Sequence, residues 1–251
     1  MEYKIHGDNL QFVEIILNNG EEIYAEAGKM FFKTDNINMQ SKMTGSGIGD
    51  KLLGALKRKV TGESLMTTHF TVKNGNVGTV AFSGDYPGRI EAIDITNMAF
   101  LAQKDAFICA ELNVDLSIAF QKKIGAGLFG GEGFILQKFS GEGRVFIHAG
   151  GDFYVKNLGP SEKIQVDTGS VVGFEETVDY NIEFVGKVST AIFGGEGLFL
   201  TTLTGPGKVI LQSMTLSKLR RELGLMANKS GGQSNGIVDS VVGSIFGGSN
   251  D

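Results

Sequence analysis

The sequence predicts an all-β body assembled from three internal repeats, and two observations predict it. The first is self-similarity. Phe120 to Ile147 and Phe184 to Leu211 match at one constant offset, since Phe120/Phe184, Glu132/Glu196, Gly143/Gly207 and Val145/Val209 are each 64 positions apart. A weaker third copy lies upstream. There Gly28, Ile37 and Met43 stand 77 positions before Asp105, Val114 and Phe120, while Glu63, Leu65 and Phe70 stand 69 before Glu132, Phe134 and Phe139. The drop from 77 to 69 places an insertion of eight residues between Met43 and Glu63. Self-similarity at a fixed period marks a repeat architecture. The second observation is apolar alternation with period two, the mark of strands buried on one face.

Taken in order, the first strand is Phe12 to Leu17, and Gly78 to Phe82 is another. From Glu111 to Phe120 the apolar residues Leu112, Val114, Leu116, Ile118 and Phe120 alternate strictly, and Val178, Tyr180, Ile182 and Phe184 repeat the pattern. Gly143 to Ile147 alternates again, each run ending in Gly, Asn, Asp or Pro. A repeat therefore reads as a first strand with a polar corner, a long alternating strand, a glycine-rich apolar loop, and a hairpin closed near Gly141 to Gly143 or Gly205 to Gly207. The repeats fall at about 1–95, 96–159 and 160–227, within one domain over 1–227. From Thr215 to Met226, Leu216, Leu219, Leu223 and Met226 recur at helical spacing, which predicts one amphipathic helix. Residues 228–236 read as a flexible polar linker and 237–251 as a short amphipathic tail.

Composition narrows the function. With 23 basic and 28 acidic side chains and a pI near 5.3, the chain lacks the basic footprint of a nucleic-acid binder, so no nucleic-acid partner is expected. Its single cysteine, Cys109, makes an intrachain disulfide impossible. The start Met-Glu-Tyr-Lys lacks the apolar run of a signal peptide, so a cytoplasmic setting is expected. No run of roughly 18 apolar residues is present to span a bilayer. Glycine is the outlier, at 37 of 251 residues, and the glycines sit at repeat-equivalent positions, which marks turns and bulges.

Gly130-Gly-Glu-Gly133 and Gly194-Gly-Glu-Gly197, with the recurring Gly-x-Val that follows each, resemble the altered inheritance of mitochondria protein 24 family over roughly residues 1–220. The resemblance implies a double-stranded β-helix similar to the trp RNA-binding attenuation protein, three repeats in one chain about a pseudo-threefold axis. Its members are mostly uncharacterised bacterial and archaeal proteins, with a mitochondrial branch tied to inner-membrane organisation. It supplies no catalytic or binding residues to carry over, and function has to be argued from a site.

Chemistry is thin. A cupin-type metal centre needs clustered histidines and a carboxylate, whereas His6, His69 and His148 are scattered, and their repeat equivalents are not ligands. No metal, cofactor or catalytic residues are expected, and the protein is read as a non-enzyme. Cys109 falls on an apolar strand and reads as a small core residue. Gly45 to Gly49 and Gly125 to Gly127 lack the Gly-Lys-Ser/Thr ending of a phosphate loop. Glu63, Glu132 and Glu196 recur at one repeat position, where a turn-capping role accounts for them.

The feature assigned to function is a set of apolar loops. Leu128 and Phe129 precede the repeated glutamate in the second copy, and Ile192 and Phe193 in the third. The insertion of the first copy places Leu52, Leu53, Leu56 and Val60 on one side of a helix, fringed by Lys51, Lys57, Arg58 and Lys59. Related by a pseudo-threefold, the three loops emerge at one end and either meet a partner or pack on one another as a plug. The expected function is a non-catalytic binding or scaffolding module whose contact residues are Leu52, Leu53, Leu56, Leu128, Phe129, Ile192 and Phe193, on a membrane surface or a protein partner. The alternative is a small-ligand binder or an enzyme on the same scaffold. A homo-oligomer is compatible with the sequence.

Overall fold

The computed structural model describes residues 1–43, 66–122, 133–184 and 199–224. Residues 1–219 form one compact body, and 220–251 are a second segment of which 220–224 are described. Strands dominate. β1 (Glu2–His6) leads into β2 (Phe12–Asn18), β3 (Glu22–Glu26), β4 (Met30–Lys33), β5 (Ile37–Met43), β6 (Met66–Val72) and β7 (Val77–Ser83). Six more follow: β8 (Gly88–Asp94), β9 (Phe100–Gln103), β10 (Phe107–Glu111), β11 (Val114–Lys122), β12 (Phe134–Gly141) and β13 (Arg144–Gly150). The last six are β14 (Phe153–Leu158), β15 (Lys163–Asp167), β16 (Val171–Glu175), β17 (Asp179–Phe184), β18 (Phe199–Thr204) and β19 (Gly207–Gln212).

Pairing order is the informative part of the topology. The sheets run β1-β2-β7-β4, β5-β6-β3-β10-β13-β8, β11-β12-β9-β16-β19-β14 and β15-β18-β17. The local order β2-β7-β4 thus recurs as β8-β13-β10 and β14-β19-β16, and β5-β6-β3 recurs as β11-β12-β9 and β17-β18-β15. Each six-stranded sheet is shared by two consecutive sets of strands, joined where β3 pairs with β10 and β9 with β16. A third junction of that kind, β4 with β15, is required for threefold closure. Among the described residues that pairing is not made, and β4 and β15 end their sheets.

Local chemistry repeats with the pairing. β4, β10 and β16 each carry a register shift against their neighbour, at Met30/Phe32, Phe107/Cys109 and Val171/Gly173. The carboxylates of Glu111 and Glu175 accept the backbone N–H of Arg144 (3.3 Å) and Lys208 (3.0 Å), and the Thr34 hydroxyl takes that role for Thr79 N–H (3.0 Å). Gly143 and Gly207 precede two of these donors at φ +135° and +142°, a region that side chains disfavour.

The core is likewise shared. One cluster joins Val13, Ile15, Phe70 and Phe82 to Ile108 and Phe146; another joins Tyr24 to Phe107, Phe139 and Ile210; a third joins Leu101 and Phe134 to Phe174 and Leu203. Full burial of such side chains stabilises by about 1.5–3 kcal/mol each. Cys109 lies fully buried in β10, as its apolar surroundings imply, and burial pushes its thiol well above its usual value.

Three sequence expectations need correction. Gly141 to Gly143 and Gly205 to Gly207 do not close hairpins, because β12 and β13, like β18 and β19, belong to different ladders. At these points the chain passes between ladders, and the positive-φ glycines permit the corner. The run Glu111 to Phe120 is not one strand: Leu112 and Asn113 form a turn, and exposed Leu112 keeps the alternation only by coincidence. The helix α1 (Leu216–Glu222) is shorter than the spacing predicts. Thr215 caps its start, its hydroxyl accepting the N–H of Lys218 at 3.1 Å, and Gly224 at φ +67° follows its end.

Candidate functional site

Leu52, Leu53, Leu56, Leu128, Phe129, Ile192 and Phe193 all lie outside the described residues, as does the tail 237–251. What the fold does describe is the base of those loops. In every set the apolar segment joins the fourth strand to the fifth, bridging β5–β6, β11–β12 and β17–β18, the antiparallel hairpins of the three sets. At two of the three bases an apolar side chain stands in solvent: Met66 is 58% exposed and Phe184 54%, the latter 4.9 Å from the Phe199 ring.

A second, polar cluster was not marked by any motif. The turn from β3 to β4 carries Glu26 and Lys29, and Lys29 N–H donates to the Glu26 carbonyl. The Lys29 side chain is only 4% exposed, and its Nζ lies 2.5 Å from Asp85 Oδ2 and 3.8 Å from Glu26 Oε2. At that length Glu26 Oε2 makes no hydrogen bond, and it is buried. Burial, opposed by Lys29, raises the Glu26 carboxyl to about 7. A carboxyl poised there exchanges its proton near neutral pH, the ordinary requirement for proton-linked binding or acid–base work.

His148 backs the cluster. Its ring meets Tyr86 edge-on at 4.9 Å, and Gly84 and Gly88 leave the room it occupies, since a Cβ at either would fall 2.3 Å or 2.5 Å from the ring. Burial first, then nearby Lys29, lower its value to about 4, so the imidazole is neutral at physiological pH. Burial raises the Tyr86 phenol to about 12. Asp85, Gly84 and Tyr86 also line a surface groove of about 350 Å³ whose other wall is apolar, with Leu10, Phe12 and Phe31.

The other histidines are satisfied locally: His6 Nε2 sits 2.7 Å from Glu14, and His69 Nδ1 2.5 Å from Glu22, which also takes Lys42 at 2.6 Å. Among the described residues no three of His, Cys, Asp and Glu are grouped to hold a metal ion. The described part of the chain has no helix long and apolar enough to cross a membrane.

Glu26 had one legible signal. Gln103 and Asp167 end β9 and β15 as Glu26 ends β3, and their side chains accept the N–H of Asp105 and Gly169 in short 3-10 turns. A polar residue is therefore present at this position in every set. Lys29 is the departure, since three residues past the corresponding strand ends stand Ala106 and Ser170.

These features define an all-β protein of shared, interlocking sheets with a polar cluster at one turn. The chain belongs to the AIM24 family, described as mitochondrial biogenesis AIM24, whose family model matches residues 3–214. It is similar to an uncharacterised protein of Streptococcus pyogenes serotype M6, 29% identical over 215 residues that cover 84% of this chain and 85% of that one. The crystal structure of a Streptococcus pyogenes protein has a like fold, with a TM-score of 0.70 at 22% identity, covering 90% of this chain and 99% of the other.

Proposed function

We propose that this protein is a non-catalytic binding or scaffolding module that meets a partner surface through the loop ends of its three hairpins. The scaffold is then one six-stranded unit written three times, in the manner of a double-stranded β-helix. The observation that carries the reading is positional: each apolar segment, with Leu52, Leu53 and Leu56, with Leu128 and Phe129, or with Ile192 and Phe193, bridges the same pair of strands in its set. Exposed Met66 and Phe184 extend apolar surface down to the hairpin bases. Lys51, Lys57, Arg58 and Lys59 favour an anionic membrane surface over a neutral protein one.

The test is co-sedimentation with vesicles containing anionic lipid, beside a thermal melt. Leu53→Asp with Leu56→Asp should abolish sedimentation and leave the melt within about 2 °C, because an exposed loop adds little to stability. No binding by the parent protein, together with a large fall in melting temperature for the variant, would make the loops a buried plug and remove the proposal. A second reading, a small-ligand site, draws on the Glu26 carboxyl and the adjoining groove. It predicts a ligand whose affinity changes across pH 7 and loses that dependence in Glu26→Gln.

A further inference from the structure

The two internal junctions are made in one way: the third strand of a set pairs antiparallel with the second strand of the set before it. In the first, Ala110 faces Tyr24; in the second, Phe174 faces Leu101. The third strand of the first set, β4, and the second strand of the last, β15, are left without this partner among the described residues. Each is the half that the other lacks.

Among the described residues both edges are also more exposed than their counterparts. Met30, Phe31 and Phe32 on β4 are 37%, 57% and 39% exposed, whereas their equivalents Phe107, Ile108 and Cys109, and Val171 and Val172, are at most 1% exposed. On the other side Ile164 and Val166 of β15 are half-buried and Gln165 exposed, while the equivalent residues of β3 and β9 are all buried. Three successive apolar side chains on an unpaired edge are what pairing conceals, and bare edges of this kind invite another strand. The β4 edge also carries an aromatic run, with Phe31 5.1 Å from Phe12 and 5.6 Å from Phe32. Phenylalanine is among the residues enriched at the buried core of protein interfaces.

We infer that the occupant is a second copy of this chain, joined head to tail, with β15 of one copy pairing antiparallel on β4 of the next in the register of the internal junctions. Continuity argues for it: the chain itself carries both complementary halves, and makes the same junction twice inside its own body. Counting by the repeat offsets, Lys33 of one copy then faces Gln165 of the other, as Ala110 faces Tyr24. The contact is heterologous, so it closes as a ring or extends as a filament.

Cysteine crosslinking tests this directly, since Cys109, the chain's single native cysteine, is fully buried. Directly facing strand residues lie within disulfide reach. Full-length Lys33→Cys and Gln165→Cys, mixed and oxidised with diamide, should give a covalent dimer, and each alone should give none. Phe31→Glu introduced into the Lys33→Cys protein should abolish the dimer while circular dichroism and the melt stay unchanged. Crosslinking by either single variant alone would overturn the inference in favour of an isologous contact. A double variant that crosslinks only within one chain would overturn it in favour of closure inside the molecule. A parent protein that sediments as a monomer at every concentration, with no dimer from the mixture, would assign the edge to another occupant.

Discussion

At the scale of residues, Glu26 and His148 set opposite pH dependences on one small region. The fold raises Glu26 from 4.5 to about 7, so its contribution to stability is complete below pH 4.5 and is lost as pH rises through 7. The fold lowers His148 from 6.5 to about 4, so its contribution is complete above pH 6.5 and is lost as pH falls through 4. Each shift corresponds to about 3 kcal/mol, and between pH 4.5 and 6.5 the two slopes cancel. Glu26→Gln should leave stability rising from pH 4 to 6.5 and level above it, whereas His148→Gln, the residue found at the equivalent Gln212, should leave it falling from pH 4.5 to 7. Urea titrations across that range check both, and matching slopes in the two variants would refute the assignment. Gly143 offers a second test. A Cβ there meets Glu111 Oε2 at 2.8 Å from a backbone at φ +135°, so Gly143→Ala should cost about 1–3 kcal/mol by strain and by disturbing the Glu111 bond. An equal cost is expected at Gly207, which crowds Val178 and the Thr177 hydroxyl in the same way. A Gly143→Ala melt equal to the parent's would show that the corner relaxes freely.

Strands were legible where one face is buried. Val13, Ile15 and Leu17 of β2 are wholly buried and alternate with partly exposed neighbours, so period two reads them directly. Partner choice was not legible, because alternation says which face is buried and nothing about which strand lies alongside. Gly141-Glu-Gly143 has the composition of a hairpin turn, yet β12 pairs with β11 and β9 while β13 pairs with β10 and β8. The polar cluster was hidden for a similar reason. Asp85 meets Lys29 across 56 positions of sequence, and no spacing rule reaches that far. The only trace was the polar residue recurring at 26, 103 and 167. Cys109, by contrast, was placed correctly, because an apolar strand needs no partner to be recognised as core.

For the whole molecule, the shared sheets decide how it unfolds. Removing residues 152–251 would strip β16 from β9 and uncover Leu101, Phe134 and Leu136, which pack against the last set. A chain ending at Gly151 should therefore be insoluble or molten, and the intact body over 1–219 should melt in one calorimetric transition. A soluble, cooperatively folded 1–151 fragment, or separate transitions in the intact chain, would contradict that interlocking.

Interlocking also has a consequence for the chain as it is being made. β3 gains its second neighbour only from β10, and β9 only from β16, so each ladder waits for residues made later in the chain. Translation delivers roughly 5–20 residues per second, so the 39 residues from the end of β6 at Val72 to the end of β10 at Glu111 take about 2–8 s. Strand collapse is far faster than that. A nascent chain on the ribosome thus spends seconds with a finished half-sheet and an unanswered edge, which is a window for a holding chaperone or for the neighbouring chain on the same message.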